Sequence, residues 1–310
     1  MRTVVYLLLI ALAAPLALAQ DILKHEWKKD KDCASLVVGG QTVYTYKFAA
    51  DEGYPYIHPV SVIGGPVLSA FSPADHKWHR GLWWSWKFLN GVNYWEFAKS
   101  GKPDGQTRRT SEAVMDTDKS GAMSVIFDLE YSRDGVVLRE GRCLLLHPPR
   151  ADGSYAIDWA STFSAKDKDV VFERTDPAKA SWGGYGGLGF RAVKSIRQIN
   201  AIDSEGRSGK AQTHGKEARW MDFSGVFGEK GEKDAPAGVA IFDHPQNPRS
   251  PTPWYVADSP GMAYFAPAFL FKQPFTLKAG ESFTLRYRVL VHPGMGDKDA
   301  LEKEYRAFAK

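Results

Sequence analysis

Cysteine is nearly missing: Cys33 and Cys143 are the two in a chain of 310 residues. That excludes a disulfide-stapled scaffold and an all-cysteine zinc site, and because neither lies in a Cys-x-x-Cys motif it excludes dithiol redox catalysis. In an oxidising compartment the two could pair or remain separate buried thiols, and nothing in the sequence sets their distance. A surplus of charge is missing too. Forty Lys and Arg stand against 36 Asp and Glu, a balance of +4, and the signs alternate through the loops, so nucleic acid is not an expected partner. Beyond the N terminus no apolar run approaches the about twenty residues of a membrane helix, which excludes a multi-span membrane enzyme and leaves no stable membrane span. No Pro/Ser linker, low-complexity tract or repeat divides the chain.

Residues 1–19 read as a signal peptide: Arg2, an apolar run from Val4 to Leu18, then Ala17-Leu18-Ala19 as a small-x-small cleavage site before Gln20. The run is short for a span and no cysteine follows it to carry a lipid. The expected mature protein is a single domain over 20–310, periplasmic or secreted from a bacterium. With 44% hydrophobic and 13% aromatic residues, it can bury a large core.

From residue 35 to 292, short β-branched and aromatic runs alternate with Gly, Pro, Asp and Asn, the pattern of successive antiparallel strands. Residues 36–38 and 43–48 flank Gly39-Gly40, which supplies the positive φ angles of a tight hairpin turn. Residues 274–291 repeat that plan around Lys278 to Glu281, with Phe283, Leu285, Tyr287, Val289 and Val291 alternating onto one face. Further strands are expected over 123–131, 136–147, 155–163, 170–174, 187–193, 219–223 and 238–243, and loops over 101–112, 203–217 and 225–236. Helical periodicity arrives at the end, where Asp299 and Glu302 form a capping box and Leu301, Tyr305 and Phe308 an apolar stripe expected to cross one end of the sheets. The fold class is all-β, an antiparallel β-sandwich with a short C-terminal helix; a mutarotase-like supersandwich is a fold-level analogy that would favour an epimerase.

Chemistry concentrates in residues 72–96, which hold five of the ten tryptophans and two of the eight histidines. Indoles stack on the apolar faces of sugars, and neighbouring His, Arg and Asn give directional hydrogen bonds. His76 or His79 is the candidate acid/base, Asp75 its orienter, and Arg80 the group that holds hydroxyls or carboxylates, with Trp83 and Trp84 as platform and Asn93 beside them. On a strand, one of two adjacent tryptophans faces the cleft. His76 and His79, with Asp75, could also ligate a divalent ion, although the remaining ligands would come from afar; no cofactor is otherwise expected. Four histidines precede proline, which holds them extended. Of these, His58 and His244 have aromatic and polar surroundings suited to a site, and His147 and His292 read as structural. Glycines 183–187 precede a strand and not a helix, so they make no phosphate loop; they let backbone pass close to a ligand or another strand, with Arg191 reaching a cavity.

Three motifs, Pro73-Ala-Asp-His-Lys-Trp-His-Arg-Gly-Leu82, Val92-Asn-Tyr-Trp95 and Gly238-Val-Ala-Ile-Phe-Asp-His-Pro-Gln-Asn-Pro-Arg-Ser-Pro-Thr-Pro-Trp254, resemble the bacterial family catalogued as PmoA-like methane oxygenase, a family of uncertain function. The resemblance runs from about Tyr54 to Pro293. Its name suggests a membrane copper subunit, which a secreted chain without a span cannot be. What the resemblance implies is company with sugar oxidoreductases, hence carbohydrate chemistry. The family's usual Trp-His-Val is Trp254-Tyr255-Val256 here and a usual second His is Ser250, departures that weigh against that loop as metal ligand or base. Together these readings favour an exported hydrolase or lyase acting on glycosides or keto-sugars, with Trp254 in the binding set. The alternatives are a non-catalytic carbohydrate-binding module, which would bind without turnover, and a structural envelope protein, which would bind no glycan.

Overall fold

The computed structural model describes residues 22–228, 233–259 and 261–310; the signal peptide read over 1–19 lies outside them. The expected all-β architecture is present as two large antiparallel sheets. The first has eight strands in the spatial order His25–Lys29, Cys33–Val38, Gln41–Lys47, Tyr56–Val60, Leu82–Ser85, Gly187–Arg191, Met262–Pro267 and Trp254–Ser259. The second runs Arg197–Asp203, Trp220–Phe227, Ala235–Asp243, Ser282–Pro293, Tyr155–Ser164, Val136–Leu146, Met123–Ser132 and Gln106–Arg109, with Val114–Thr117 also pairing beside Met123–Ser132. A small third sheet joins Phe275–Leu277, Val170–Glu173, Phe88–Leu89 and Val92–Asn93.

The Gly-Gly hairpin is formed as its sequence dictates: Val38 pairs with Gln41, and Gly39 and Gly40 sit at φ 56° and 83°, both in the left-handed region where a side chain is strained. The 274–291 hairpin is not. Phe275–Leu277 pairs instead with Val170–Glu173, while Ser282–Pro293 lies between Tyr155–Ser164 and Ala235–Asp243. The alternation along that strand holds, since Leu285, Tyr287, Val289 and Val291 all enter the core.

Aromatic pairs tie the large sheets face to face. Trp84 lies 6.2 Å from Trp159 and 5.8 Å from Tyr287, and Tyr46 lies 6.1 Å from Trp159. Strand alternation therefore leaves each sheet a second, outward face. The C-terminal helix Lys298–Phe308 covers the outer face of the second sheet, packing Leu301 and Tyr305 on Trp220, Phe242 and Leu290, and so does not cross the end of the sheets. Its cap is Asp297, whose carboxylate accepts from Ala300 N at 2.8 Å; Glu302 is drawn away to Trp220 Nε1 and Arg219. Cys33 in the first sheet and Cys143 in the second are separate thiols, each pushed up to about 11 by burial.

Candidate functional site

The outward face of the first sheet carries a second aromatic cluster. Trp83 and Trp84 are adjacent on one strand and so point to opposite faces: Trp84 enters the inter-sheet core, Trp83 the outer cluster with Tyr54, Tyr56, Trp95, Tyr255 and Tyr264. Trp84 is therefore no platform. Register sets the neighbours: Tyr56 pairs with Trp83, Trp83 with Gly189, and Arg191 with Tyr264. Gly189 is required here because a Cβ would collide with the Tyr264 hydroxyl. This is the close approach expected of the glycine segment, made to another strand's side chain.

The histidines come from the loop entering this sheet. His76 N donates to Pro73 O and His79 N to His76 O, both at 2.9 Å, so two successive turns set residues three apart side by side. The ring centroids of His76 and His79 are 4.6 Å apart. Gly81, at φ 74°, ends the loop where a Cβ would fall 2.6 Å from Ile57 O.

Hydrogen bonds fix the two rings in opposite tautomers. His76 Nδ1 is 2.8 Å from Asp75 Oδ2, an ionised acceptor, so Nδ1 carries the proton and Nε2 presents a lone pair. His79 Nδ1 is 3.4 Å from Arg191 Nη1, which can only donate, so the neutral ring carries its proton on Nε2. Burial, with His76 and Arg191 beside it, holds His79 well below the usual imidazole range and keeps it neutral. Burial opposes the charge of Asp75, but hydrogen bonds from His76, Arg191 and Lys194 outweigh it and keep the carboxyl ionised. Arg191, fully buried, also binds Gly261 O at 2.8 Å and contacts Met262 Sδ.

A second polar group closes the far side. Lys87, nearly fully buried, ion-pairs with Glu96 and lies 3.3 Å from the Tyr185 hydroxyl, which itself donates to Glu96. Between the two groups the rings run on continuously: His79 to Trp83 at 4.9 Å, Trp83 to Trp95 at 5.3 Å, Trp95 to Tyr185 at 5.4 Å, and Tyr264 back to His79 at 5.3 Å. Trp78 Nε1, Trp83 Nε1, Trp95 Nε1, the Tyr264 hydroxyl and Arg191 Nε are buried with no hydrogen-bond partner in the protein. A buried orphan costs about 1 to 3 kcal/mol; because Trp84 Nε1 and Trp86 Nε1 in the inter-sheet core are unpaired as well, it is the histidine pair and not the orphans that marks this patch.

Other predicted residues are placed differently. Arg191 and Arg80 brace the site from within: Arg80 donates to Glu52 O at 2.7 Å and lies over Tyr54 and Tyr56. Asn93 shapes a turn, its Oδ1 accepting from Trp95 N and Glu96 N at 3.0 Å, and thereby positions Glu96. His58 lies on the same sheet but stacks on Phe71 and bonds Ser69 Oγ at 2.9 Å, with no ring contact to His76 or His79. Burial takes it down to about 4. His244 belongs to the second sheet and packs edge-on to Phe308 of the C-terminal helix at 5.1 Å, so it cannot join. Trp254 is core, its Nε1 bonded to Ala218 O at 2.9 Å. The motif containing both is a brace: Asp243 holds Asn247 Nδ2 and Thr252 N, and Arg249 caps Phe269 O, Gln273 O and Pro274 O. A divalent ion does not fit at His76 and His79, because Arg191 and Lys194 already occupy the space around Asp75 that a metal would need. Among the described residues no cluster of three His, Cys, Asp or Glu side chains could hold one.

Lys87, Tyr185 and Tyr264 escape a reading of the sequence, since what places them is pairing between distant strands. A trace was available for Lys87, the one charge among the mostly apolar residues 82–89.

Fold and site together define an antiparallel β-sandwich with a histidine and aromatic centre on one outer face. Over residues 33–306 the chain matches, and belongs to, a family of unknown function designated DUF6807. That agrees with membership of a family of uncertain function; the methane-oxygenase label has no counterpart in the match. No curated protein matches the chain. Among solved structures it is similar to a polysaccharide lyase, at TM-score 0.34 and 11% identity over 91% of this chain and 34% of that one. The chain thus spans about a third of that protein's length.

Proposed function

We propose that the protein is an exported carbohydrate-processing enzyme whose centre is the His76–His79 pair, and that it works by proton transfer beside a carbonyl, as a lyase on keto-sugars. The observation that carries this reading is the pair itself, two imidazoles 4.6 Å apart that present one lone pair and one N–H. A glycoside hydrolase of the two-carboxylate kind needs a carboxyl that stays protonated to act as acid. Asp75 is held ionised by its partners and Glu96 is committed to Lys87 and Tyr185, so hydrolysis by that route is disfavoured. In the proposed step His76 Nε2 takes the proton from the carbon next to the ketone. His79 Nε2–H hydrogen-bonds the enolate oxygen that forms. The electron pair then expels the alkoxide from the β-carbon, and His76 returns the proton to it, leaving an enone and a free alcohol.

The test compares release of nitrophenol from nitrophenyl glycosides and from their 3-keto counterparts. Turnover confined to the keto series and lost in His76→Asn supports the reading. Equal turnover of both series argues for hydrolysis, and binding without turnover would make the protein a carbohydrate-binding module. Export rests on the leader pattern of residues 1–19, and recovery of the protein from the cytosolic fraction with Met1 intact would overturn it.

A further inference from the structure

Trp182 is 52% exposed, in a molecule that buries or half-buries its other nine tryptophans. Leaving so large an apolar face in water forgoes free energy that burial would have given, and the ring is held in that position. Gly183 N donates to Ala180 O and Gly184 N to Thr175 O, at 2.8 and 2.9 Å, closing the loop around it. The Lys87 ammonium lies 5.6 Å from the centre of its ring, and the same ammonium binds Glu96 and Tyr185. The indole thus lies over a buried cation that also sits 5.4 Å from the centre of Tyr185, the last of the rings that run through Trp95 and Trp83 to His79. Glu96, partly exposed, offers a carboxylate beside this platform.

We propose that Trp182, with Glu96 at its side, is a stacking subsite for a second, uncharged pyranose ring, so that the ligand is a glycan or disaccharide and not a single sugar. The inference rests on the carbohydrate reading of the His76–His79 centre and extends it. An indole face covers the C–H face of a pyranose, while a carboxylate accepts from the equatorial hydroxyls at the ring edge.

Affinity electrophoresis tests it, with native gels containing the neutral polysaccharides xylan, laminarin, hydroxyethylcellulose, glucomannan or galactomannan and a blank gel to verify equal mobility of the folded variants. At least one polysaccharide should retard the wild-type protein. Trp182→Ala should weaken that retardation roughly three- to tenfold, and Trp182→Phe should restore most of it. Equal retardation of the wild type and Trp182→Ala overturns the subsite and leaves the His76–His79 reading standing. No retardation of the wild type by any of the five also overturns the subsite, whereas the His76–His79 reading falls separately, on absence of turnover of the 3-keto glycosides.

Discussion

The two outer faces of the sandwich are built from the same residue types and use them in opposite ways. On the second sheet, under the C-terminal helix, Trp220 Nε1 bonds Glu302 at 3.0 Å, and Arg288 grips Asp158 through two hydrogen bonds of 2.6 and 2.8 Å. His147 donates to Asp158 and His292 to Asp222, each at 2.8 Å. On the first sheet three indole N–H groups and a tyrosine hydroxyl are left without partners around His79. Tryptophan, histidine, arginine and aspartate packed together are therefore no signature in themselves. Unpaired atoms do not separate the two either, since Asp222 Oδ2 on the second face is also without a partner; what the first face has and the second lacks is a pair of imidazoles side by side, 4.6 Å apart.

The largest effect should come from exchanging the same residue on the two faces. His76→Asn should lower kcat/KM by about 10²- to 10⁴-fold, the usual worth of a positioned acid/base, and leave the melting temperature nearly unchanged because the ring is half-exposed. His244→Asn should lower the melting temperature through its lost packing on Phe308 and leave kcat/KM as it was. Steady-state kinetics with thermal melts on both variants decides it, and the opposite pattern would exchange brace and site.

The helix that makes the second face structural can be attacked directly. Leu301 is 3% exposed against Trp220 and Leu290, so Leu301→Ala should cost about 2 to 5 kcal/mol in urea unfolding. The His76–His79 centre, on the other sheet, should keep its activity below the transition. A loss of activity that precedes unfolding would show that the two faces communicate.

Much of the fold was legible in the sequence because alternation is local. It sends Trp83 outward and Trp84 inward, and it puts Leu285, Tyr287 and Val289 in the core. The centre was legible in part, since His76, His79 and Asp75 share one short loop. Sheet order was not: nothing near Phe275 shows that it pairs with Phe172 and not with the strand that follows it, nor that Arg191 and Tyr264 lie side by side. Such pairs depend on register, where a slip of one residue reverses every side chain. The motif around Asp243 and His244 misleads for a related reason. A run of polar residues with prolines is what a catalytic loop and a loop clamp both require, and the choice rests on bonds from Asn247 and Thr252 that only the folded chain displays.

That clamp gives the third expectation. Asp243 is buried, and burial outweighs its hydrogen bonds to raise its carboxyl to about 6. Asp243→Ala would strand Thr252 N and one of the two Nδ2–H donors of Asn247, the other staying on Arg286 O, and should cost about 1 to 3 kcal/mol, without altering kcat/KM. Asp75→Asn should also cost stability, because it removes the carboxylate paired with the fully buried Arg191, but it alone should displace the pH–rate profile, because the proton on His76 Nδ1 is set by Asp75. An equal displacement of the profile by both variants would remove the distinction between clamp and orienter.

The smallest effect is in the pH dependence of stability, where His79 and His292 should pull in opposite directions. His79 is held below the ordinary value near 6.5, chiefly by burial. Between that value and its folded one the unfolded chain therefore binds a proton that the folded protein refuses, and stability falls as the solution is acidified below about pH 6.5. For His292 burial is outweighed by the Asp222 carboxylate, which raises it. Its contribution is complete below about pH 6.5 and is lost as pH climbs through the folded value. Neither ring can change stability faster than about 1.4 kcal/mol per pH unit. Urea midpoints from pH 5 to 9 should show the acid slope flattened in His79→Gln and the alkaline slope flattened in His292→Gln. If His79→Gln leaves the acid slope intact, His79 is charged in the folded protein. The neutral N–H donor required at the centre would then be missing.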